Sequence, residues 1–228
     1  MAGTQKTPGL ISFTPSASAL QQVYGLLFEA YGEQHWWPGE TPFEIIVGAV
    51  LTQNTAWVNV EKAIANLKSA HRLTLDALIG LDNDALAELI RPSGYFNIKA
   101  RRLKSLCEFL HAGGGVSAFD RVPIAVLRKD LLGVHGVGRE TADDILLYAY
   151  NRPVFVIDAY TRRIFSRLGL ARGDEDYEVL RQGFEQALGP NVEQFSEYHG
   201  LIVRHAKDFC SKKPRCSGCC LAEICEFK

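Results

Sequence analysis

Five of the six cysteines in this chain of 228 residues crowd into its last 19 positions, and this crowding constrains the fold more than any other feature. The five are Cys210, Cys216, Cys219, Cys220 and Cys225. A disulfide framework would spread its cysteines through a small secreted chain. Residues 1–18 show no basic segment followed by an apolar stretch, so we expect no signal peptide and a cytoplasmic protein. The crowding therefore predicts a metal or cluster site.

Four of these cysteines have the spacing of a ligand set. Cys210, Cys216, Cys219 and Cys225 follow the pattern C-x5-C-x2-C-x5-C, which leaves Cys220 as a spare. Four thiolates on a compact loop suit either tetrahedral zinc or a [4Fe-4S] cluster. Zinc sites usually join two short cysteine pairs, and only one short spacing occurs here. The spacing favours the iron–sulfur cluster, with zinc and a disulfide-rich tail as the alternatives.

Hydrophobic spacing predicts helices along nearly the whole chain. The predicted helices cover 20–31, 43–51, 60–67, 75–79, 84–90, 99–111, 127–132, 139–150, 159–168, 177–188 and 192–209. Residues 154–157 favour a strand by propensity, but one short strand without a partner makes no sheet. The longest apolar run, residues 45–51, is too short to span a membrane. We therefore predict an all-α fold.

A glycine-rich hairpin lies between two of these helices. Residues 132–138 read LGVHGVG, and the next helix opens with Arg139, Glu140 and Thr141. Glycine permits a positive φ and a close approach to a ligand, and free amides at a helix N-terminus bind anions. A DNA phosphate fits such a site, although the turn taken alone is more often ordinary packing between helices.

The balance of charge excludes a protein that is basic all over. Lys and Arg number 25 and Asp and Glu number 26, which gives a formal net charge of −1. The cations nevertheless gather into three clusters: Arg91, Lys99, Arg101, Arg102 and Lys104; Arg162, Arg163 and Arg167; and Lys207, Lys212, Lys213 and Arg215. One such cluster is usually a solvated helix face, but three around an anion-binding hairpin favour a discontinuous DNA track.

The order of these features resembles the endonuclease III family of helix-hairpin-helix (HhH-GPD) DNA glycosylases. The matching segments are LTQNT at 51–55, GYFNIKA at 94–100, GVGRETA at 136–142, VIDAY at 156–160 and the four spaced cysteines. The match covers roughly residues 40–228. The first cysteine spacing is one residue shorter than the family's common C-x6-C-x2-C-x5-C.

The resemblance implies two helical lobes with a DNA-binding cleft between them. A six-helix barrel lobe would take residues 34–151 and contain the hairpin at 132–140. The other lobe would join residues 1–33 to 152–228 and carry the [4Fe-4S] cluster in the loop 210–225. The implied partner is double-stranded DNA containing damaged bases, bound by a monomer with no membrane association.

Asp158 matches the family's catalytic aspartate. Breaking an N-glycosidic bond develops positive charge on the sugar, which an ionised carboxylate stabilises while it orients water. Asp158 also stands where it would cap the helix 159–168, and the two roles are compatible. Glu140 occupies the position at which bifunctional members carry a lysine, and a carboxylate cannot form a Schiff base. We therefore expect a monofunctional glycosylase.

The three tryptophans point to the substrate. Trp36, Trp37 and Pro38, with Trp57, resemble the 3-methyladenine branch of the family, in which aromatic side chains sandwich the flipped base and a glutamate matches Glu140. The alternative for a helical protein is ordinary core packing. Indole faces attract a cationic alkylated purine by stacking and cation–π contact, worth roughly 1–3 kcal/mol per aromatic ring.

The remaining matches concern contacts with the DNA duplex. Gln53 matches the residue that fills the gap left by a flipped base, and Tyr95 matches the opposite intercalating side chain. The expected phosphate and backbone contacts are Gly136, Gly138, Arg139, Thr141, Lys99 and Arg101. The alternatives are an endonuclease III-like glycosylase and lyase for oxidised pyrimidines or mismatched thymine or uracil, and a non-catalytic DNA-binding iron–sulfur protein.

Overall fold

The computed structural model describes Phe13 and residues 15–227. Residues 1–12, 14 and 228 lie outside the described part. The expectation of no signal peptide concerns residues 1–18, so most of that segment lies outside the described residues. The described chain is helical and contains no β-strand, so the all-α prediction is confirmed. No helix within it has both the length and the apolarity needed to cross a membrane.

The helices follow the predicted segments closely. The α-helices of the described chain are α1 (Ala17–Tyr31), α2 (Pro42–Leu51), α3 (Trp57–Ser69), α4 (Leu75–Gly80), α5 (Asn83–Leu89), α6 (Phe96–Ala112), α7 (Ile124–Leu132), α8 (Arg139–Asp144), α9 (Ala159–Arg167), α10 (Tyr177–Leu188) and α11 (Val192–Asp208). Short 3₁₀ turns occupy Arg91–Ser93, Val116–Phe119 and Ala222–Ile224. Residues 154–157 are extended but pair with no strand among the described residues.

Local capping explains where several helices begin. The Thr74 hydroxyl accepts a hydrogen bond from the Ala77 amide at 3.3 Å, and the Asp82 carboxylate accepts one from the Ala85 amide at 2.7 Å. Both contacts satisfy amides that the first turn leaves free. The α6 helix begins three residues earlier than predicted, directly after Tyr95, whose φ of 49° is left-handed and therefore ends the preceding turn.

Two hydrophobic cores form within the chain. The first core joins α2 to α8, and α2 is buried on nearly all of its sides, as its apolar sequence predicts. The second core joins α1, the extended segment 155–157 and helices α9 to α11. The proposed lobe boundaries at 33/34 and 151/152 stay a prediction.

A wide π-helical turn, Ile145–Ala149, continues α8 and links the two cores. Ile145 and Leu146 belong to the first core, whereas Leu147 and Tyr148 belong to the second. The predicted helix over 139–150 is therefore present, but its second half is not α-helical. Such π turns are often found at functional sites.

Candidate active site and DNA interface

A cleft of about 550 Å³ runs between elements of the two cores. The start of α3 and the α8 helix supply one side, and α9 and α11 supply the other. Of the residues predicted for catalysis and base recognition, the structure brings Asp158, Glu140, Trp36, Trp37 and Trp57 to this cleft. Its volume is typical of small-molecule and cofactor sites.

Asp158 lies at the N-terminus of α9, where its carboxylate is buried. Its Oδ1 atom accepts hydrogen bonds from the Thr161 amide at 2.7 Å and the Thr161 hydroxyl at 2.8 Å. Burial favours the neutral acid, but the nearby His199 and the Thr161 hydrogen bonds outweigh it and lower the pKa of Asp158 below its usual value. The cleft therefore contains an ionised carboxylate at neutral pH.

Two further carboxyl groups, those of Glu140 and Asp144, line the cleft one helical turn apart. The Glu140 side chain opens onto the cleft, yet the surrounding protein and then the charge of Asp158 raise its pKa to about 7. Asp144 is buried, and its Oδ1 atom has no hydrogen-bond partner among the described residues. Burial, with the charges of Glu140 and Asp158, raises the pKa of Asp144 well above its usual value. The two neighbouring carboxyl groups are therefore shifted in opposite directions, Asp144 toward its neutral form and Asp158 toward its ionised form.

The three indoles form a mutually packed cluster. The ring centroids of Trp36 and Trp37 lie 5.7 Å and 5.1 Å, respectively, from that of Trp57, and they lie 5.9 Å from each other. These distances are those of rings in direct contact, so no slot for a base separates them. A base could stack on the face that the cluster turns to the cleft, whereas the expected sandwich would require the rings to separate.

Pro38 does not reach this cleft. The Gly39 amide donates a hydrogen bond to the Trp37 carbonyl at 3.0 Å, and the resulting turn carries Pro38 to a neighbouring cavity behind Trp37 and Trp57. Pro38 therefore lines a cavity with Trp37 and Trp57 but does not line the cleft that the three indoles share.

The hairpin between α7 and α8 is built as the glycine pattern predicts. Gly136 has a φ of +85°, and a Cβ atom there would lie 2.1 Å from Cγ of Arg102. Gly138 precedes the first turn of α8 and has open space where a side chain would lie. The Thr141 side chain is buried, so a contact with DNA would have to come from its backbone amide.

Gln53 is tied to this hairpin. Its amide nitrogen donates to the Gly136 carbonyl at 3.1 Å and to the Thr141 hydroxyl at 2.9 Å, while Arg102 donates to its amide oxygen at 2.5 Å. The wedge role of Gln53 stays a prediction, and entry into a duplex would break these three hydrogen bonds. Tyr95 is 69% exposed on the turn before α6, and its intercalating role also stays a prediction.

The assignment of Lys99 to the DNA interface is wrong. The side chain is 1% exposed, and its ammonium donates to the Leu51 carbonyl at 2.8 Å, the Thr55 hydroxyl at 2.6 Å and the Ser93 carbonyl at 2.7 Å. Burial, together with the charge of Arg102, lowers the pKa of Lys99 to about 8, so it is still a cation at neutral pH. Lys99 therefore joins α2, α6 and the 3₁₀ turn, whereas Arg101 on the same helix is exposed.

Lys99 and Arg101 should respond to substitution in opposite ways. A Lys99→Met variant should lose about 3 kcal/mol of unfolding free energy, because the Leu51 and Ser93 carbonyls lose a charged donor. An Arg101→Ala variant should unfold like the wild type but reduce the salt dependence of DNA binding, log K against log salt, by about 0.9. Thermal unfolding and a salt titration of DNA affinity measure both. An unchanged salt dependence in Arg101→Ala would remove Arg101 from the interface.

Several other cations of the predicted DNA track are used within the protein. Arg139 pairs with Asp176 at 2.9 Å, so a phosphate would have to displace this carboxylate. The guanidinium of Arg163 donates to the Cys210 carbonyl at 2.7 Å, and that of Arg167 donates to the Ser211 carbonyl at 2.7 Å. These two arginines therefore hold the cysteine loop. Lys207 and Lys212 do line the cleft.

The four spaced cysteines line one small cavity at the end of α11. Cys210, Cys216, Cys219 and Cys225 share it with apolar side chains and with Arg167, His205 and Arg215, and Cys220 is not among the residues that line it. Cys220 lies instead beside His205, with 3.8 Å between its sulfur and Nδ1. In the described chain no three His, Cys, Asp or Glu side chains converge closely enough to hold a single metal ion.

Sequence reasoning missed Asp144 and His199. Asp144 follows Glu140 by four residues, and this spacing alone places both carboxyl groups on one helix face. His199 lies on the buried side of α11, where a histidine is usually a satisfied core residue. No comparable signal in the sequence indicated that it would face Asp158.

Comparison with known proteins gives a consistent result. A model of the HhH-GPD superfamily of base excision DNA repair proteins matches residues 47–190. A protein of Methanocaldococcus jannaschii named "Putative DNA repair glycosylase" is 46% identical over 92% of this chain and 96% of its own length. Both matches include the hairpin and Asp158.

Two solved structures share the fold. The 3-methyladenine DNA glycosylase of H. pylori bound to 1,N6-ethenoadenine is 32% identical, with a TM-score of 0.74 over 85% of this chain and 97% of that one. A non-covalent complex of endonuclease III with DNA has a TM-score of 0.77 over 92% of this chain and 95% of that one, at 23% identity. The second likeness concerns the fold alone.

Proposed function

This chain belongs to the HhH-GPD superfamily of base excision DNA repair proteins, and on that premise we propose that it is a monofunctional DNA glycosylase for alkylated purines such as 3-methyladenine. The observation that carries the proposal is the pairing of an ionised Asp158 with an indole cluster in one cleft. The enzyme class follows from the superfamily, whereas the substrate and the absence of lyase activity are the proposed part.

Asp158 can perform the chemistry without a covalent partner. The two Thr161 hydrogen bonds occupy Oδ1, which leaves Oδ2 to face the sugar. Its negative charge stabilises the cationic sugar that forms as the base departs, and the same oxygen can orient the attacking water. The target base must first leave the stack, and Lys207 and Lys212 are suited to bind the flanking phosphates.

Glu140 supports the monofunctional assignment, because its carboxylate cannot attack the sugar to form a Schiff base. We expect borohydride to trap no covalent adduct between the wild-type protein and damaged DNA. A Glu140→Lys variant supplies the missing amine at the same position and serves as the comparison. Gel analysis of reduced mixtures measures the adduct, and efficient trapping by the wild type would overturn the assignment.

The substrate proposal rests on the indoles and on the carboxyl groups near them. Stacking on the Trp36, Trp37 and Trp57 cluster suits a flat, electron-poor base, and a carboxylate nearby suits one that carries positive charge. The similar H. pylori enzyme is itself a 3-methyladenine glycosylase and was solved with an etheno-modified adenine. An alkylated purine is therefore the substrate class that the cleft fits best.

The pH dependence should distinguish cationic from neutral lesions. With a pKa of about 7, Glu140 loses its charge as the pH falls through neutrality, and the ratio of ionised to neutral form changes tenfold per pH unit. Release of cationic 3-methyladenine should therefore slow by up to about tenfold per unit below that pKa. Release of uncharged 1,N6-ethenoadenine should not slow in this way, because it gains nothing from a negative charge.

Glu140→Gln is the control for this profile. Glutamine has nearly the same shape but no charge to lose, so the profiles for the two lesions should become parallel. Single-turnover rates across the pH range measure the difference. An unchanged contrast between the lesions in the glutamine variant would remove Glu140 from substrate recognition.

Release of free base from a panel of oligonucleotides tests the function itself. The panel contains 3-methyladenine, 1,N6-ethenoadenine, thymine glycol, and G·T and G·U mismatches. Preferred release of the two modified adenines supports the proposal. Preferred release of thymine glycol, or of mismatched thymine or uracil, would favour an endonuclease III-like specificity instead. Binding without release of any base would indicate a non-catalytic protein.

We also propose that the cysteine cavity holds a [4Fe-4S] cluster. The donor set fits: four thiol side chains line one cavity, whose other lining residues are apolar apart from Arg167, His205 and Arg215, and the fifth thiol does not line it. Cys210, Cys216, Cys219 and Cys225 would be the ligands. The bound cluster would serve as a scaffold for the loop that carries Lys212, Lys213 and Arg215.

A further inference from the structure

His199 is a buried histidine next to the carboxylate of Asp158, the candidate catalytic residue. Its Nε2 atom lies 3.6 Å from Oδ2 of Asp158, and its Nδ1 atom lies 2.6 Å from the hydroxyl oxygen of Tyr148. The ring is only 5% exposed, and Nε2 has no hydrogen-bond partner among the described residues. The 3.6 Å separation is slightly longer than a hydrogen bond, so a small movement of Asp158 would close it.

The two oxygens of Asp158 have different surroundings. Oδ1 is fixed by two short hydrogen bonds from Thr161 in the first turn of α9. Oδ2 has His199 as its near neighbour and is the oxygen available to the sugar and to water. The direction in which Oδ2 points therefore depends on whether Nε2 of His199 carries a hydrogen.

The position of the hydrogen on the His199 ring follows from its two neighbours. A bare Nε2 lone pair facing an ionised carboxylate would be repelled, so Nε2 carries a hydrogen. When Nε2 alone carries the hydrogen, Nδ1 is an acceptor, and the Tyr148 hydroxyl is at the right distance to donate to it. Tyr148 thus stabilises the tautomer in which His199 offers a donor to Asp158.

Tyr148 also connects this pair to the base pocket. Its ring centroid lies 5.2 Å from that of Trp37, one of the indoles lining the cleft. Tyr148 itself lies in the π-helical turn, and this places its hydroxyl toward α11 and its ring toward the indole cluster. A series of side-chain contacts therefore links Trp37 through Tyr148 and His199 to the Asp158 carboxylate.

We propose that His199 is a positioning residue for base removal: its Nε2–H holds Oδ2 of Asp158 toward the sugar, and Tyr148 keeps the hydrogen on Nε2. His199 has this role only if Asp158 performs the proposed reaction. Because misplacing a reacting group by about 1 Å can cost 10²-fold in rate, loss of this contact should affect the chemical step more than binding.

Three variants test the role in single-turnover base release from the panel substrate that the wild type prefers. His199→Leu should lower the rate constant by about 10–100-fold and leave the affinity for DNA containing a stable abasic analogue unchanged. His199→Gln retains a neutral donor and should recover most of the rate. The rate constant of Tyr148→Phe should lie between those of the leucine and glutamine variants. Equal rates for the leucine and glutamine variants, or a wild-type rate in the leucine variant, would overturn the proposal.

A second measurement does not depend on activity. ¹⁵N spectra of the histidine-labelled wild-type protein report which ring nitrogen carries the hydrogen, and the signal absent from His199→Gln identifies His199. We expect the hydrogen on Nε2, and a reduced preference for it in Tyr148→Phe. A hydrogen on Nδ1 in the wild type would overturn the proposal. If no panel base is released while Nε2–H is observed, the glycosylase proposal fails and the contact with Asp158 stands.

Discussion

Replacing Asp158 with asparagine should slow base release by about 10²–10³-fold. The asparagine oxygen can still accept from the Thr161 amide, and asparagine is as good an N-cap as aspartate, so α9 should keep its start. The negative charge that opposes the developing cation on the sugar is lost, and removing a single electrostatic contact of this kind typically costs about 10²–10³-fold. Single-turnover release from 3-methyladenine DNA, with thermal unfolding in parallel, measures both effects.

Asp144→Asn is the matched control for this substitution. Asp144 lines the same cleft, but burial raises its pKa well above its usual value, so asparagine removes less negative charge here than it does at position 158. We expect base release within a few-fold of the wild type. An Asp158→Asn variant that retains more than about a tenth of the wild-type rate would exclude Asp158 as the principal stabilising charge. A loss in Asp144→Asn equal to that in Asp158→Asn would show that the two carboxyl groups act together.

The secondary structure could be predicted because its signals are local. The caps at Thr74 and Asp82 and the apolar faces of the helices depend on residues close together in sequence. The place of Asp158 at the start of α9 could be predicted for the same reason, whereas its catalytic role stays a prediction. The exception is the second half of the helix over 139–150, where contacts with two different cores accompany a π turn instead of an α-helical one.

The exposure of charged side chains could not be predicted, because it depends on which carbonyl groups the fold leaves without partners. Lys99 and Arg101 stand two positions apart in one basic segment, yet one is buried and the other exposed. Lys104 donates to the Leu78 carbonyl at 3.2 Å and so satisfies the end of α4. A cluster of cations in sequence therefore contains both buried structural donors and exposed side chains, and only the tertiary contacts separate them.

Asp144 and His199 show a second reason why part of the site could not be predicted from the sequence. A carboxyl group four residues after another reads as part of a solvated face, and a histidine on an apolar face reads as core. Residues of α8 and α11 line the same cleft, and the sequence of either helix alone does not show that the two helices come together there. A site predicted from sequence for this reason most readily omits polar residues that lie on the buried face of a helix.

On the proposal that the cysteine cavity holds a [4Fe-4S] cluster, a Cys216→Ser variant should lose the cluster's visible absorption and much of the protein's DNA affinity. Serine is a poor ligand for iron, so the four-thiolate set is broken, and metal-binding free energy is also folding free energy for a loop this small. The loop carries Lys212, Lys213 and Arg215, so its disordering should reduce the salt dependence of DNA binding by about 0.9 for each cation lost. Absorption spectra, unfolding curves and salt titrations measure the three effects.

Cys220→Ser separates ligation from the mere loss of a thiol in this loop. Cys220 is next to Cys219 in sequence but does not line the cavity, so its replacement should leave absorption, stability and DNA affinity close to wild type. If Cys220→Ser loses the absorption and Cys216→Ser keeps it, the ligand set is assigned wrongly. If Cys216→Ser loses the absorption but retains its DNA affinity and its salt dependence, the cluster does not support the DNA-contacting loop. A zinc site would bind metal without visible absorption in the wild type, so the same spectra also decide between the two metals.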